Sequence, residues 1–169
     1  MKKVIIAAAL LFSTLNFVSA QTVKLGHINA ADLLQSMPEV KAADSTLQNY
    51  QKSLQDQYNS MLAEYKTKTD EYAKDGPGMT DAVKEVKEQE ISDLQNRIQT
   101  FQQSAQDKLS NKKEEIYTPI LKKAQDAIKA VGKANGYAYV FDTSPGGSVV
   151  YYEDTDDLLP LVKKQLNLK

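Results

Sequence analysis

The 169-residue chain contains no cysteine and a single histidine. Without cysteine there is no disulfide framework, no thiol nucleophile and no lipid-anchoring residue behind a leader, so the fold must hold through packing alone. His27 stands by itself. A histidine metal ligand works as one of a set, and no companion ligands flank it, so a packed strand position is its expected role. The seven glycines form no phosphate-cradling loop, and no nucleophile, base and orienting group fall into a recognisable pattern. The carboxylate pairs Glu114-Glu115 and Asp156-Asp157 read as solvated surface or caps, because neighbours on a helix do not face each other. The expected inventory is therefore no catalytic residue, no cofactor, no metal and no enzymatic activity. The one apolar run near the N-terminus, Val4 to Leu15, is shorter than the roughly 20 residues a spanning helix needs, which disfavours a membrane anchor.

What is present begins with a leader. Lys2 and Lys3 precede an apolar run from Val4 to Leu15 and a small-residue ending, Val18-Ser19-Ala20, which predicts a signal peptide over 1–20 cleaved before Gln21. Its removal leaves 19 basic against 22 acidic residues, a net charge near −3. That balance argues against nucleic acid as the main partner and gives no support for an anionic membrane surface.

Most of the remainder is one long excursion, 39–131, interrupted once at Gly76-Pro77-Gly78. Leu47, Leu54 and Met61 recur every seven residues, and Tyr58, Tyr65 and Tyr72 form a second series four positions on. This is the stripe of a helix lying along a partner helix. The return continues through Ile91, Leu94, Ile98, Phe101 and Ala105, then shifts phase through Leu109, Ile116 and Ile120, a four-residue stutter that relaxes a left-handed supercoil. Polar residues fill the other positions, so each half is a solvated rod with one narrow apolar face. Gly76 is expected to stop the first rod in a left-handed conformation, with Thr80 and Asp81 starting the second. Pro119 lies inside a pattern that stays helical on both sides, which predicts a flex point rather than an end.

The two chain ends read differently. Residues 22–28 predict a short strand, followed by a helix capped by Asn29 and a long helix opened by Pro38. Gly132 and Asn135-Gly136 are expected to end the return helix. Tyr137–Phe141 and Ser148–Tyr152 then predict an aromatic β-hairpin around the Asp142–Gly147 turn, and residues 157–166 a last helix capped by Asp157. The expected class is α+β: a long antiparallel helical hairpin, a coiled-coil arm, projecting from a small β-sheet body. Strands from both chain ends build that body from 21–38 and 132–169 of a single domain spanning 21–169. Three short strands leave sheet edges open, and oligomerisation through them is the expected remedy. The body residues expected to carry it are Val23, Leu25, Ile28, Tyr137, Tyr139, Phe141, Val149 and Tyr151.

The order of these segments resembles the Skp/OmpH family of periplasmic chaperones over essentially the whole chain beyond the leader. The resemblance is carried by Val23-Lys24-Leu25-Gly26 with Leu33-Leu34 and Met37-Pro38-Glu39-Val40, then Tyr117-Thr118-Pro119-Ile120. It continues through Asn135-Gly136-Tyr137-Ala138-Tyr139-Val140-Phe141 and Tyr151-Tyr152 with Asp156-Asp157-Leu158. No single motif is specific, but their order and spacing are. The resemblance implies a periplasmic homotrimer whose arms enclose unfolded outer-membrane proteins. Two departures stand out. Asp157-Leu158-Leu159-Pro160 replaces the family's usual last-helix cap, and the hairpin is expected to be acidic on both arms where some members are strongly basic, so the resemblance is not extended to a lipopolysaccharide site.

Tyr58, Tyr65 and Tyr72 have two readings: rings that fill the hairpin seam against Leu94, Ile98 and Phe101, or rings that line a cavity and grip non-native segments weakly. With Tyr50 and Met79 they are the candidate client contacts. The functional expectation is an ATP-independent holdase for unfolded outer-membrane proteins. The alternative is a structural or adaptor coiled coil of the cell envelope.

Overall fold

The computed structural model of the chain describes residues 23–168, and the expected leader with its cleavage point lies outside the described residues. The order is β1 (Leu25–Ile28), α1 (Ala30–Ser36), α2 (Pro38–Asp75), a single 3-10 turn (Gly76–Gly78), α3 (Asp81–Ala134), β2 (Tyr139–Asp142) and α4 (Leu159–Gln165). The helices α2 and α3, of 38 and 54 residues, pack side by side as the expected arm.

Local chemistry accounts for most boundaries. The Asn29 side chain accepts the N–H of Asp32 at 3.1 Å and starts α1, and Pro38 occupies the first turn of α2. Asn135 ends α3, its side-chain amide donating to the Val131 carbonyl at 2.8 Å, and Gly136 follows with φ +73°. Gly132 does not end the helix. It lies within it, and a Cβ there would sit 3.2 Å from Val140 Cγ2, so its role is to let β2 approach α3.

The arm tip also differs from expectation. Gly76 is right-handed, φ −52° and ψ −40°, and the chain tightens into a 3-10 turn in which Met79 N–H reaches the Gly76 carbonyl at 3.1 Å. Tightening satisfies the terminal carbonyl without a left-handed residue. Thr80 occupies the N-cap position of α3 with an extended backbone, but its side chain makes no capping hydrogen bond.

The body holds two strands rather than three. β1 and β2 pair in parallel, with Leu25 opposite Tyr139 and Ile28 opposite Asp142. The other side of β1 is covered by 156–158, where His27 N–H donates to the Asp156 carbonyl at 3.1 Å and Leu158 N–H to the His27 carbonyl at 2.9 Å. The expected hairpin partner, Ser148–Tyr152, forms no strand. The intervening turn is captured by α1 instead: Asp142 Oδ1 accepts the Ala30 N–H at 3.3 Å and Ser144 Oγ that of Ala31 at 3.0 Å. These contacts serve free donors at the helix start and carry the chain away from β2. The last helix begins at Leu159 with Leu158, not the expected Asp157, at the N-cap position and no capping side chain there; Asp157 sits one residue further out and accepts the Leu159 N–H at 2.8 Å.

One core joins these pieces. Ile28, Leu33, Met37, Leu158 and Val162 are almost fully buried, and Ala43, Ile120, Ala124, Ala127 and Val131 carry the core into the arm root. Small residues there bring α2 and α3 close together, and Gly26 has the same function in β1. A Cβ at Gly26 would lie 2.5 Å from Leu158 Cδ1 and 2.9 Å from the Tyr137 ring.

Candidate functional site

The arm is the candidate site, and its two helices are not joined evenly. At the root, Tyr117 hydrogen-bonds Asp44 and Lys123 pairs with Glu39. Near the tip, Lys68 Nζ meets Glu90 Oε2 at 2.8 Å and Tyr72 donates to Glu88. Among the described residues, no side-chain hydrogen bond or ion pair crosses from α2 to α3 between these two ends. The middle is held by apolar contact alone.

These ties shift the ionisation of their members. The hydrogen bond to Lys123 holds Glu39 below the usual carboxylate range, and that to Lys68 does the same for Glu90. Lys68 is raised, chiefly by Glu90. The hydrogen bonds to Glu88 and Asp44 raise the phenols of Tyr72 and Tyr117, and burial and the carboxylate charges push in the same direction. Each favours the folded pairing.

Along the seam, Leu94 and Ile98 are buried, at 2 % and 8 % exposure, whereas Leu47, Leu54, Met61, Phe101 and Leu109 are only half-buried. Two clefts open beside Phe101. One, of about 580 Å³, is lined by Met61 and Phe101 with Asn96, Arg97 and Thr100 among its polar neighbours. The other, of about 320 Å³, has Leu54, Tyr58, Phe101, Ala105 and Leu109 as its apolar lining. The helical phase of their residues puts the clefts on opposite sides of Phe101.

The sequence-derived tyrosines fall along this rod without forming one continuous surface. Tyr50, Tyr58, Tyr65 and Tyr72 are all half-buried, as is Met79 at the tip. Tyr58 shares a cleft with Phe101, whereas Tyr72 is tethered across the hairpin by its hydroxyl. Sequence periodicity did not mark Val83 and Val86, which are exposed near the tip. Nor did it mark the glutamines around the clefts, because amides carry no periodic signal. The acidic excess lies on α2 alone, with seven acidic and five basic residues, and is not shared by α3, with nine and ten.

In the body, β1 and β2 present Leu25, Tyr139 and Phe141 outward and Val23 is exposed just before β1, with Tyr139 at 63 % exposure and its ring stacked on Phe141 at 6.3 Å. Tyr151 is 79 % exposed and Val149 half-buried. Ile28 instead closes the chain's own core, and Tyr137 is half-buried beneath Lys24, its hydroxyl donating to Asp156 at 2.7 Å. His27 packs against Tyr152, ring centroids 4.5 Å apart, with Nε2 3.0 Å from the Glu153 carbonyl oxygen. Among the described residues, no group of three or more His, Cys, Asp or Glu side chains is placed to hold a metal ion, and no helix is long and apolar enough to cross a membrane.

Comparison with known proteins gives a consistent result. The sequence profile of the family described as outer membrane protein (OmpH-like) matches residues 24–166. Chaperone protein Skp of Yersinia enterocolitica is 26% identical over 166 residues, covering 98% of this chain and 99% of its own. The Vibrio cholerae protein of the same name is 29% identical over 121 residues, 72% of each chain. A Caulobacter crescentus structure assigned as an OmpH-like outer membrane chaperone superposes with a TM-score of 0.75 at 12% identity, covering 86% of this chain and 85% of that one. The last likeness concerns the fold alone.

Proposed function

The chain belongs to the OmpH-like outer membrane protein family, and we propose that it is a periplasmic, ATP-independent holdase that keeps unfolded outer-membrane proteins from aggregating. The observation that carries this reading is the arm. Helices of 38 and 54 residues extend from a small body with their middle seam half-open and apolar, a surface suited to weak contact with many non-native segments. Binding and release need no covalent step. Similarity to proteins named as chaperones, over 98% of this chain in one case and 72% in another, supports the same reading.

We further propose a homotrimer formed through the body. The exposed Val23, Leu25, Tyr139, Phe141 and Tyr151 offer more apolar surface than two short strands need for themselves. Three arms on such a body would enclose a cavity.

The deciding experiment dilutes a urea-denatured outer-membrane β-barrel protein into buffer with and without the mature chain and follows light scattering. Suppressed scattering for several unrelated barrels supports the holdase. The exposed Val83 and Val86 near the tip favour a second reading, an envelope adaptor docking a folded partner. An adaptor would bind one partner at fixed stoichiometry and leave denatured clients to aggregate.

A further inference from the structure

The smaller cleft beside Phe101 combines an apolar floor with an uncharged amide rim. Leu54, Tyr58, Phe101, Ala105 and Leu109 form the floor, and the remaining lining residues are Gln51, Gln55, Gln102 and Gln106. No charged side chain is among the lining residues, with Lys108 Nζ standing 5.6 Å from the centre of the Phe101 ring. Gln55 donates to Asn59 at 3.0 Å, and among the described residues the other three glutamines make no side-chain hydrogen bond. The surrounding sequence agrees, since residues 98–106 of α3 carry no charge. The cleft also lies in the part of the arm that no polar cross-tie closes. A seam that needed only to be filled would bury these apolar groups. Here they remain half-open beneath four amides, each able to donate and accept.

Building on the holdase reading, we propose that this cleft is a binding site for extended, uncharged segments of the client, the nascent strands of an unfolded outer-membrane barrel. Such strands alternate apolar with polar residues and carry few charges on their lipid-facing side. An extended chain laid along the cleft directs apolar side chains to the floor and presents backbone N–H and C=O groups to the rim amides, which match either without regard to sequence. Charge complementarity selects the occupant: a lining without charge leaves a charged segment unpaired in a partly desolvated site, a cost an uncharged one avoids.

The test measures binding of a dansylated peptide alternating valine with threonine to the intact mature protein by fluorescence anisotropy. Two paired variants place charges of opposite sign on the rim, Gln102→Glu with Gln106→Glu and Gln102→Lys with Gln106→Lys. The matched control is Gln99→Glu with Gln103→Glu, exposed on α3 and lining neither cleft. Both rim variants are expected to weaken binding about tenfold while the control stays near wild type. Opposite effects of Glu and Lys, or no effect from either, overturn the proposal. If wild type still suppresses aggregation in that case, the holdase reading stands without this site; if it does not, both fall. Should a rim variant lose helicity, Gln55→Cys carrying a benzophenone label decides in this otherwise cysteine-free chain, with peptide labelling there supporting the site and bound peptide left unlabelled overturning it.

Discussion

Gly26 shows how much a single residue decides in this body. Its hydrogen occupies the gap between Leu158 and the Tyr137 ring, the point where β1 passes between β2 and the segment leading to α4. Gly26→Ala is expected to destabilise the protein by ~1–3 kcal/mol through overpacking, read as a lower urea midpoint. An unchanged midpoint would mean that Leu158 and Tyr137 move aside freely. At this scale the sequence was legible wherever chemistry is local. Asn29, Pro38 and the Asn135-Gly136 stop each act within a few residues and were readable as such. Gly26 and Gly132 were not, since the atoms they make room for lie over a hundred residues away or on another element. Gly76 misled for a related reason: glycine permits a left-handed residue without requiring one.

Among the elements, the arm helices were the most legible, because a seven-residue repeat sustained over dozens of residues has one economical explanation. The second strand of the supposed hairpin was the least legible. Ser148–Tyr152 has strand composition, but its fate was set by Asp142 and Ser144 binding the start of α1, a long-range contact with no sequence signature. Pro119 tests the arm directly, since α3 runs through it with Ile120 buried immediately after. Pro119→Ala restores a backbone donor and up to ~3 kcal/mol of helix propensity, so it should stiffen the arm root without lowering stability. Slower amide exchange around 115–123 with an unchanged or higher melting temperature is expected; easier unfolding would instead make the proline a required bend. The cross-ties give a pH dependence whose sign follows from their shifts. Glu39 and Glu90 are lowered, so their contribution is present above the ordinary carboxylate range and is lost as pH falls through the folded values. Lys68, Tyr72 and Tyr117 are raised, so theirs is present below the ordinary values and is lost as pH rises through the folded ones. Protection factors near 39–44 and 68–90, with exchange corrected for its intrinsic pH dependence, should therefore fall at both extremes and be highest between them. All five side chains are half-buried at the surface, where solvent screening keeps the effect to local loosening rather than unfolding.

For the whole molecule, body and arm pose separable questions. If the body alone assembles the trimer, replacing residues 45–109 by a short turn should leave a trimer in sedimentation, and a stable folded monomer at low micromolar concentration would refute assembly through the body. The arms raise the question of what holds a client. Their charge is nearly balanced, with a slight acidic excess confined to α2, so they offer no basic surface to attract an acidic outer-membrane protein. Apolar contact must then supply the affinity. Salt distinguishes the two, because charges further apart than about 10 Å are largely screened at 0.1 M ionic strength, while burial of apolar surface is unaffected or strengthened. Client binding is expected to hold or rise from low to moderately high salt, and a steep loss would point to charge-driven capture. The same titration on a Tyr50→Ser, Met79→Ser variant asks whether apolar grip extends beyond the middle of the arm. Both side chains are half-buried, one towards the root and one at the tip, and neither belongs to the tightly packed core. The variant should keep its oligomeric state and protect clients less well at every salt concentration, since the loss is of apolar area. Full protection would confine the grip to the cleft beside Phe101, where Leu54, Tyr58 and Leu109 remain intact.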